Sequence, residues 1–148
     1  MSQNATVTLT RLSGFQFQID FGLDTPALFS DEPPPLGESS GPAPNHLLLA
    51  AVANCLSASL VFALSKFKQD PGPLTATATA VTGRNEDNRL RIQHIDVHLV
   101  LPRSGASFEH LDRVLAQFEA FCTVSMSVRQ GIEIGVRVTD ADGEVLKG

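Results

Sequence analysis

Alternation of apolar and polar residues opens the chain. Over residues 5–12, Val7 and Leu9 share one side while Thr6, Thr8 and Thr10 take the other. Phe15, Phe17, Ile19 and Phe21 then alternate with Gln16, Gln18 and Asp20. A period of two predicts two half-buried strands. Ser13-Gly14 between them predicts a hairpin. Periodicity then stops. Leu28 and Phe29 are long enough only for a short strand, and residues 31–44, DEPPPLGESSGPAP, read as a proline-rich loop. A loop of that length within a small chain is either functional or disordered.

From His46 to Phe67 the pattern becomes almost continuously apolar, HLLLAAVANCLSASLVFALSKF, with no charge between Leu47 and Leu64. This predicts a long central helix over about 45–68. Pro44 stands where a first-turn proline is tolerated, Lys66 and Lys68 suit the negative end of the helix dipole, and Asp70-Pro71-Gly72-Pro73 stops the run.

Beyond it, Thr75 to Thr82 alternates Thr and Ala, Asn85 to Asn88 is a polar turn, and Leu90 to Leu101 forms a long strand. The apolar phase of that strand slips between Ile92 and Ile95, which predicts a bulge near Gln93-His94. Ser107 is the expected cap of a second helix, with Glu109 in its first turn. Leu111, Val114, Leu115, Phe118 and either Phe121 or Cys122 make its buried stripe. Thr123 to Gln130 fits a short separate helix. Ile132, Ile134, Val136 and Val138 predict a strand, and Glu144 to Leu146 a short return strand after the turn at Asp140 to Gly143. No repeat or linker divides the pattern, so residues 1–148 are expected to form one α+β domain.

Composition narrows the function classes. The formal net charge of -5, with no basic stripe and neither Tyr nor Trp, argues against nucleic acid as a partner. The start, MSQNATVTLTRLSG, has neither a basic opening nor an apolar signal core, so a cytoplasmic protein is expected. The central helix reaches the lower length limit of a membrane span, but the remaining pattern is that of a soluble domain with apolar faces of its own to cover. A buried central helix is therefore expected, and no membrane. A helix apolar on all sides needs cover on all sides, and a second copy of the chain, as a two-fold homodimer, is the simplest source of it.

The candidate chemistry rests on two cysteines, Cys55 within the central helix and Cys122 at the end of the second helix's stripe. Each could be a small buried hydrophobe. If both stripes face one core the thiols could instead meet, as a peroxidatic and resolving pair would. A reactive Cys55 would need a nearby cation, a charged loop or a base. His46, His94, His98 and His110 fall in no metal-binding spacing, and His46 is the best placed of them for a role. Asp31, Glu32 and Glu38 lie in the proline loop, from which one could reach a site. The glycine-rich phosphate motifs and the nucleophile elbow do not occur.

Taken together, the loop DEPPPLGESSGPAP, the helix segment NHLLLAAVANC, the long strand pair and the segment CTVS at Cys122 to Ser125 resemble the OsmC/Ohr family of organic hydroperoxide reductases over roughly residues 5 to 142. The resemblance implies an intertwined homodimer in which curved antiparallel sheets wrap two long central helices. It implies thiol-dependent reduction of organic hydroperoxides, with Cys55 forming a sulfenic acid and Cys122 resolving it as a Cys55–Cys122 disulfide. The reductant would be an external dithiol such as a dihydrolipoyl group, with no metal, haem or flavin. Arg11 is the only arginine of the first hairpin and stands where the resemblance expects a thiolate-activating cation. The family's glutamate ten residues before the reactive cysteine is Asn45 here, and the proline after the second cysteine is Thr123. These departures keep a second reading open: the same fold serving as a small apolar ligand-binding or redox stress protein with little peroxidase activity.

Overall fold

A computed structural model describes residues 4–148. The chain gathers into two compact units that meet in sequence at Leu48 and Leu49.

The first unit holds a three-stranded antiparallel sheet, β1 (Thr8–Ser13), β2 (Gln16–Asp20) and β3 (Leu28–Ser30), in the order β1-β2-β3. The expected hairpin forms with Leu9 opposite Ile19 and Arg11 opposite Phe17. Its turn falls at Gly14-Phe15, one position later than expected. Gly14 takes a left-handed φ of 48°, which glycine adopts without steric cost. Leu12 is left out of the pairing, and Leu9, Leu12 and Phe15 remain exposed within the single chain.

The proline loop is fixed from within by Asp31, only 2% exposed. Its carboxylate accepts from the Glu32 N–H at 2.9 Å, the Glu38 N–H at 3.0 Å, the Ser40 N–H at 3.1 Å and the Ser40 hydroxyl at 2.9 Å. At Gly37 the loop closes so tightly that a side chain would overlap the Glu32 carbonyl and the Asp31 carboxylate. The Ser40 N–H holds the Asp31 carboxyl below its ordinary range, against the opposing effect of burial.

Helix α1 runs from Pro44 to Ser65 and crosses from the first unit into the second. Proline opens it as expected. It closes earlier than expected. Lys68 adopts a left-handed φ of 57°, and the Gln69 N–H bonds back to the Leu64 carbonyl at 3.2 Å. Lys66 and Lys68 thus lie past the helix end rather than in its last turn. Only one side of α1 is buried, through Val52, Leu56, Ser59, Leu60, Ala63 and Leu64. Ala51, Asn54, Ala58, Val61 and Phe62 follow one another along an exposed stripe. By length and composition alone α1 could cross a membrane, and 33% of its most apolar window is buried.

The second unit adds a four-stranded mixed sheet, β4 (Thr75–Arg84), β5 (Leu90–Val100), β6 (Glu133–Thr139) and β7 (Val145–Lys147), in the order β4-β5-β6-β7. The β4–β5 register slips where Val81 faces His94 and Thr82 faces Ile92, so Gln93 is the extra residue of the expected bulge. The strands β5 and β6 run parallel. A parallel neighbour requires a crossover, which here carries a 3-10 turn (Gly105–Ser107), α2 (Leu111–Gln117), a second 3-10 turn (Phe118–Phe121) and α3 (Thr123–Val128).

Helix α2 starts later than its expected Ser107 cap. The Ser107 hydroxyl donates instead to the Ser104 carbonyl at 2.6 Å within the first 3-10 turn. His110 in the left-handed region, φ 55°, is the residue that opens α2, and Asp112 rather than Glu109 occupies the first turn. The core of this unit collects the buried side of α1 with Ile95, Val97, Leu99, Val114, Phe118, Ile134 and Val138. Asp140, 1% exposed, fastens the first 3-10 turn to the β6–β7 turn. It accepts from the Gly105 N–H at 2.8 Å and from the Asp142 and Glu144 N–H groups at 2.9 Å.

Candidate active site

The two cysteines meet in the second unit. Cys55 is half-buried on α1, and Cys122, 0% exposed, stands at the N-cap of α3. The Cys122 thiol and the backbone N–H groups of Val124 and Ser125 are the neighbours that act on the Cys55 thiol. The Ser125 N–H also donates to the Cys122 sulfur at 3.4 Å. Burial pushes the Cys55 thiol above its ordinary range and the adjacent Cys122 thiol pushes it further, while the two N–H groups pull it back. The sequence pointed to both cysteines but not to these amides. Their only trace there is a cysteine followed by Thr and Ser, residues common where helices begin.

Several contacts hold Cys122 in place. Just before it, Glu119 pairs with Arg129 at 3.0 Å and with Lys147 at 2.6 Å. Phe121 stands edge-on to Phe62 of α1 with ring centroids 5.4 Å apart, and the Lys66 ammonium lies 4.1 Å from the Phe121 centroid and 4.9 Å from that of Phe62. Each such contact is worth about 0.5–1 kcal/mol where exposed. Lys66, expected as a helix-dipole partner, instead ties the end of α1 to the residue beside Cys122. Of the two possible ends to the second helix's stripe, Cys122 is the buried one and Phe121 is 40% exposed.

Arg11 belongs to the first unit, where it is exposed on β1 and its Nε donates to the Gly14 carbonyl at 2.9 Å. Asn45 is exposed in the first turn of α1. The His46 ring Nδ1 accepts from the Ala43 N–H at 3.2 Å, which caps the helix start and gives this histidine a structural explanation. Asp31 has its acceptor capacity taken up inside its own loop.

His94 pairs with Asp96 at 2.8 Å and with Glu133 at 3.4 Å, which raises its pKa, Asp96 contributing most. Gly135 leaves room for that pair, since a Cβ there would come within 2.9 Å of the Asp96 carboxylate. Among the described residues, no group of three or more His, Cys, Asp or Glu could hold a metal ion. A cavity of ≈ 210 Å³ in the first unit is lined largely by apolar residues, among them Leu9, Phe17, Ile19 and Leu47.

The architecture is thus an α+β chain carrying a pair of facing thiols, one reachable and one enclosed. The family described as OsmC-like protein matches residues 37–137, and the chain belongs to that family. Similar solved structures include an OsmC-like protein of unknown function from Vibrio cholerae. It is 14% identical with a TM-score of 0.78 over 93% of this chain and 99% of that one. An OsmC-like protein from Mycoplasma pneumoniae is 18% identical with a TM-score of 0.77 over 95% and 99%. An organic hydroperoxide resistance protein from Elizabethkingia anophelis is 20% identical with a TM-score of 0.72 over 95% and 99%. No curated protein matches the sequence.

Proposed function

We propose that this protein is a thiol-dependent peroxidase that reduces organic hydroperoxides to alcohols. The reading is supported by a half-buried Cys55 whose thiol is influenced by a neighbouring, fully buried Cys122. The Cys55 thiolate attacks the peroxide, the O–O bond breaks, and the alcohol leaves with a proton. The sulfur retains one oxygen as sulfenic acid. The Cys122 sulfur then attacks Cys55, an S–S bond replaces the S–O bond, and the oxygen leaves as water. An external dithiol such as a dihydrolipoyl group restores both thiols by exchange. Arg11 supplies the positive charge that favours the Cys55 thiolate. No metal, haem or flavin takes part in these steps.

The working form is a homodimer in the cytoplasm, with curved sheets wrapped around two α1 helices. The exposed stripe through Ala51, Ala58, Val61 and Phe62 supports it, because a partner helix would bury that side. Organic hydroperoxide resistance proteins are among the chains that share this fold. Turnover of cumene hydroperoxide with a dithiol tests the reading: consumption well above that of the dithiol alone is expected, and consumption no faster than that blank would refute it.

A second reading, a small apolar ligand-binding protein of the same fold, is favoured by the raised Cys55 thiol, by Asn45 and by the apolar cavity of the first unit. Native mass spectrometry of freshly purified protein separates the two. A retained small molecule with slow Cys55 oxidation supports binding, and an empty protein with fast oxidation supports the peroxidase.

A further inference from the structure

Resting on the peroxidase reading, we propose that the Ser125 hydroxyl is the hydrogen-bond donor for the oxygen that Cys55 gains on oxidation. Ser125 is 0% exposed, and its Oγ is the one buried side-chain polar atom without a hydrogen-bond partner among the described residues. Buried polar groups are nearly always paired, and an unpaired one costs free energy. A helical serine has an easy remedy, donation to the carbonyl four residues back. Ser57 of α1 takes it, bonding the Ala53 carbonyl at 2.7 Å. Ser125 does not.

The Ser125 N–H donates to the Cys122 sulfur at 3.4 Å and is one of the groups that lower the Cys55 pKa. The unpaired hydroxyl is three covalent bonds from that nitrogen and is bonded to neither sulfur in the reduced chain. The reduced site offers it no acceptor. Oxidation places one new oxygen on Cys55, and that oxygen leaves again as water when Cys122 closes the disulfide. A donor that stabilises the departing oxygen acts on the closing step and is idle in the resting state. Atoms and electrons balance as in the two steps above, since Ser125 gives up no proton overall.

The test is single-turnover oxidation of wild type, Ser125→Ala and Ser125→Thr with one equivalent of cumene hydroperoxide, read by intact mass, alongside thermal unfolding of the reduced proteins. Ser125→Ala should unfold at the same or a higher temperature than wild type, because an unpaired hydroxyl has been removed. It should still form the sulfenic acid but close the disulfide roughly tenfold more slowly, and Ser125→Thr should recover most of that rate. In the Cys122→Ser background, Ser125→Ala should shorten the lifetime of the trapped sulfenic acid. Closure within twofold of a competent wild type would overturn the inference, as would a clear fall in unfolding temperature, which marks a structural hydroxyl. A wild type that forms no disulfide at all would overturn the peroxidase reading and this inference together.

Discussion

Cys55 on α1 and Cys122 at the start of α3 are neighbours whose thiols act on one another, and only the first is open to solvent. A reactant arriving from outside meets Cys55 first.

The two cysteines should therefore behave unequally. With one equivalent of organic hydroperoxide, wild type should lose two thiols and form an intrachain disulfide. Cys122→Ser should stop at a Cys55 sulfenic acid that a dimedone-type reagent traps. Cys55→Ser should keep Cys122 reduced over the same minutes, because that thiol is enclosed. Intact-mass and peptide-mass analysis reads all three, and a Cys55→Ser variant reacting as fast as wild type would reverse the roles.

The rate should also depend on pH in a defined direction. The Cys55 pKa is raised by burial and by Cys122, so the thiol is protonated at neutral pH and thiolate accumulates as pH rises. Single-turnover rates should climb roughly tenfold per unit while pH stays below that pKa. If Arg11 has the proposed role, Arg11→Met should slow the reaction at pH 7 by roughly tenfold, the effect of losing one nearby charge, and should converge on wild type in strongly alkaline solution. Superimposed profiles would remove Arg11 from the site.

Asp31 makes the proline loop acid-sensitive. Its folded pKa lies below the ordinary 3.8. The stabilisation it provides is complete above the unfolded value and is lost as pH falls through the folded one. Asp31→Asn should lower the urea midpoint at pH 7, and the gap from wild type should narrow as pH drops towards 3. A gap that stays constant would mean that the carboxylate charge is not what holds the loop.

The exposed stripe of α1 predicts self-association. Sedimentation at low micromolar concentration should give about twice 15.8 kDa. Ala58→Glu, placing a charge on the stripe without crowding the buried side, should shift the protein to monomer at least tenfold more readily while far-UV circular dichroism keeps its helix content. An unchanged dimer would move the interface elsewhere.

Much of the secondary structure was written in local periodicity. The period-two runs gave β1, β2, β5 and β6, and the phase slip at Ile92 and Ile95 marked the bulge residue Gln93. The boundaries that failed depend on backbone geometry that composition does not encode. His110 and Lys68 occupy left-handed conformations, and these move the start of α2 and the end of α1. Cys55 and Cys122 could be named from the chain, but their meeting depends on the crossover, and parallel pairing of β5 with β6 leaves no local mark. The roles of His46 as a cap and Lys66 as a clamp were hidden for the same reason: each depends on a neighbour supplied by the fold.

That crossover has a consequence for how such a chain can change. Residues 101–132 leave the sheet after β5 and return to it beside β5 as β6, with the ladder from His94 opposite Glu133 to Val100 opposite Thr139 running without a slip. The second thiol lies inside this closed excursion, braced from outside by Phe62, Lys66 and Lys147, while the first thiol lies outside it on α1. Replacing the cysteine of this excursion alters no residue of that ladder, so the number of thiols on the scaffold can change within a single contiguous stretch.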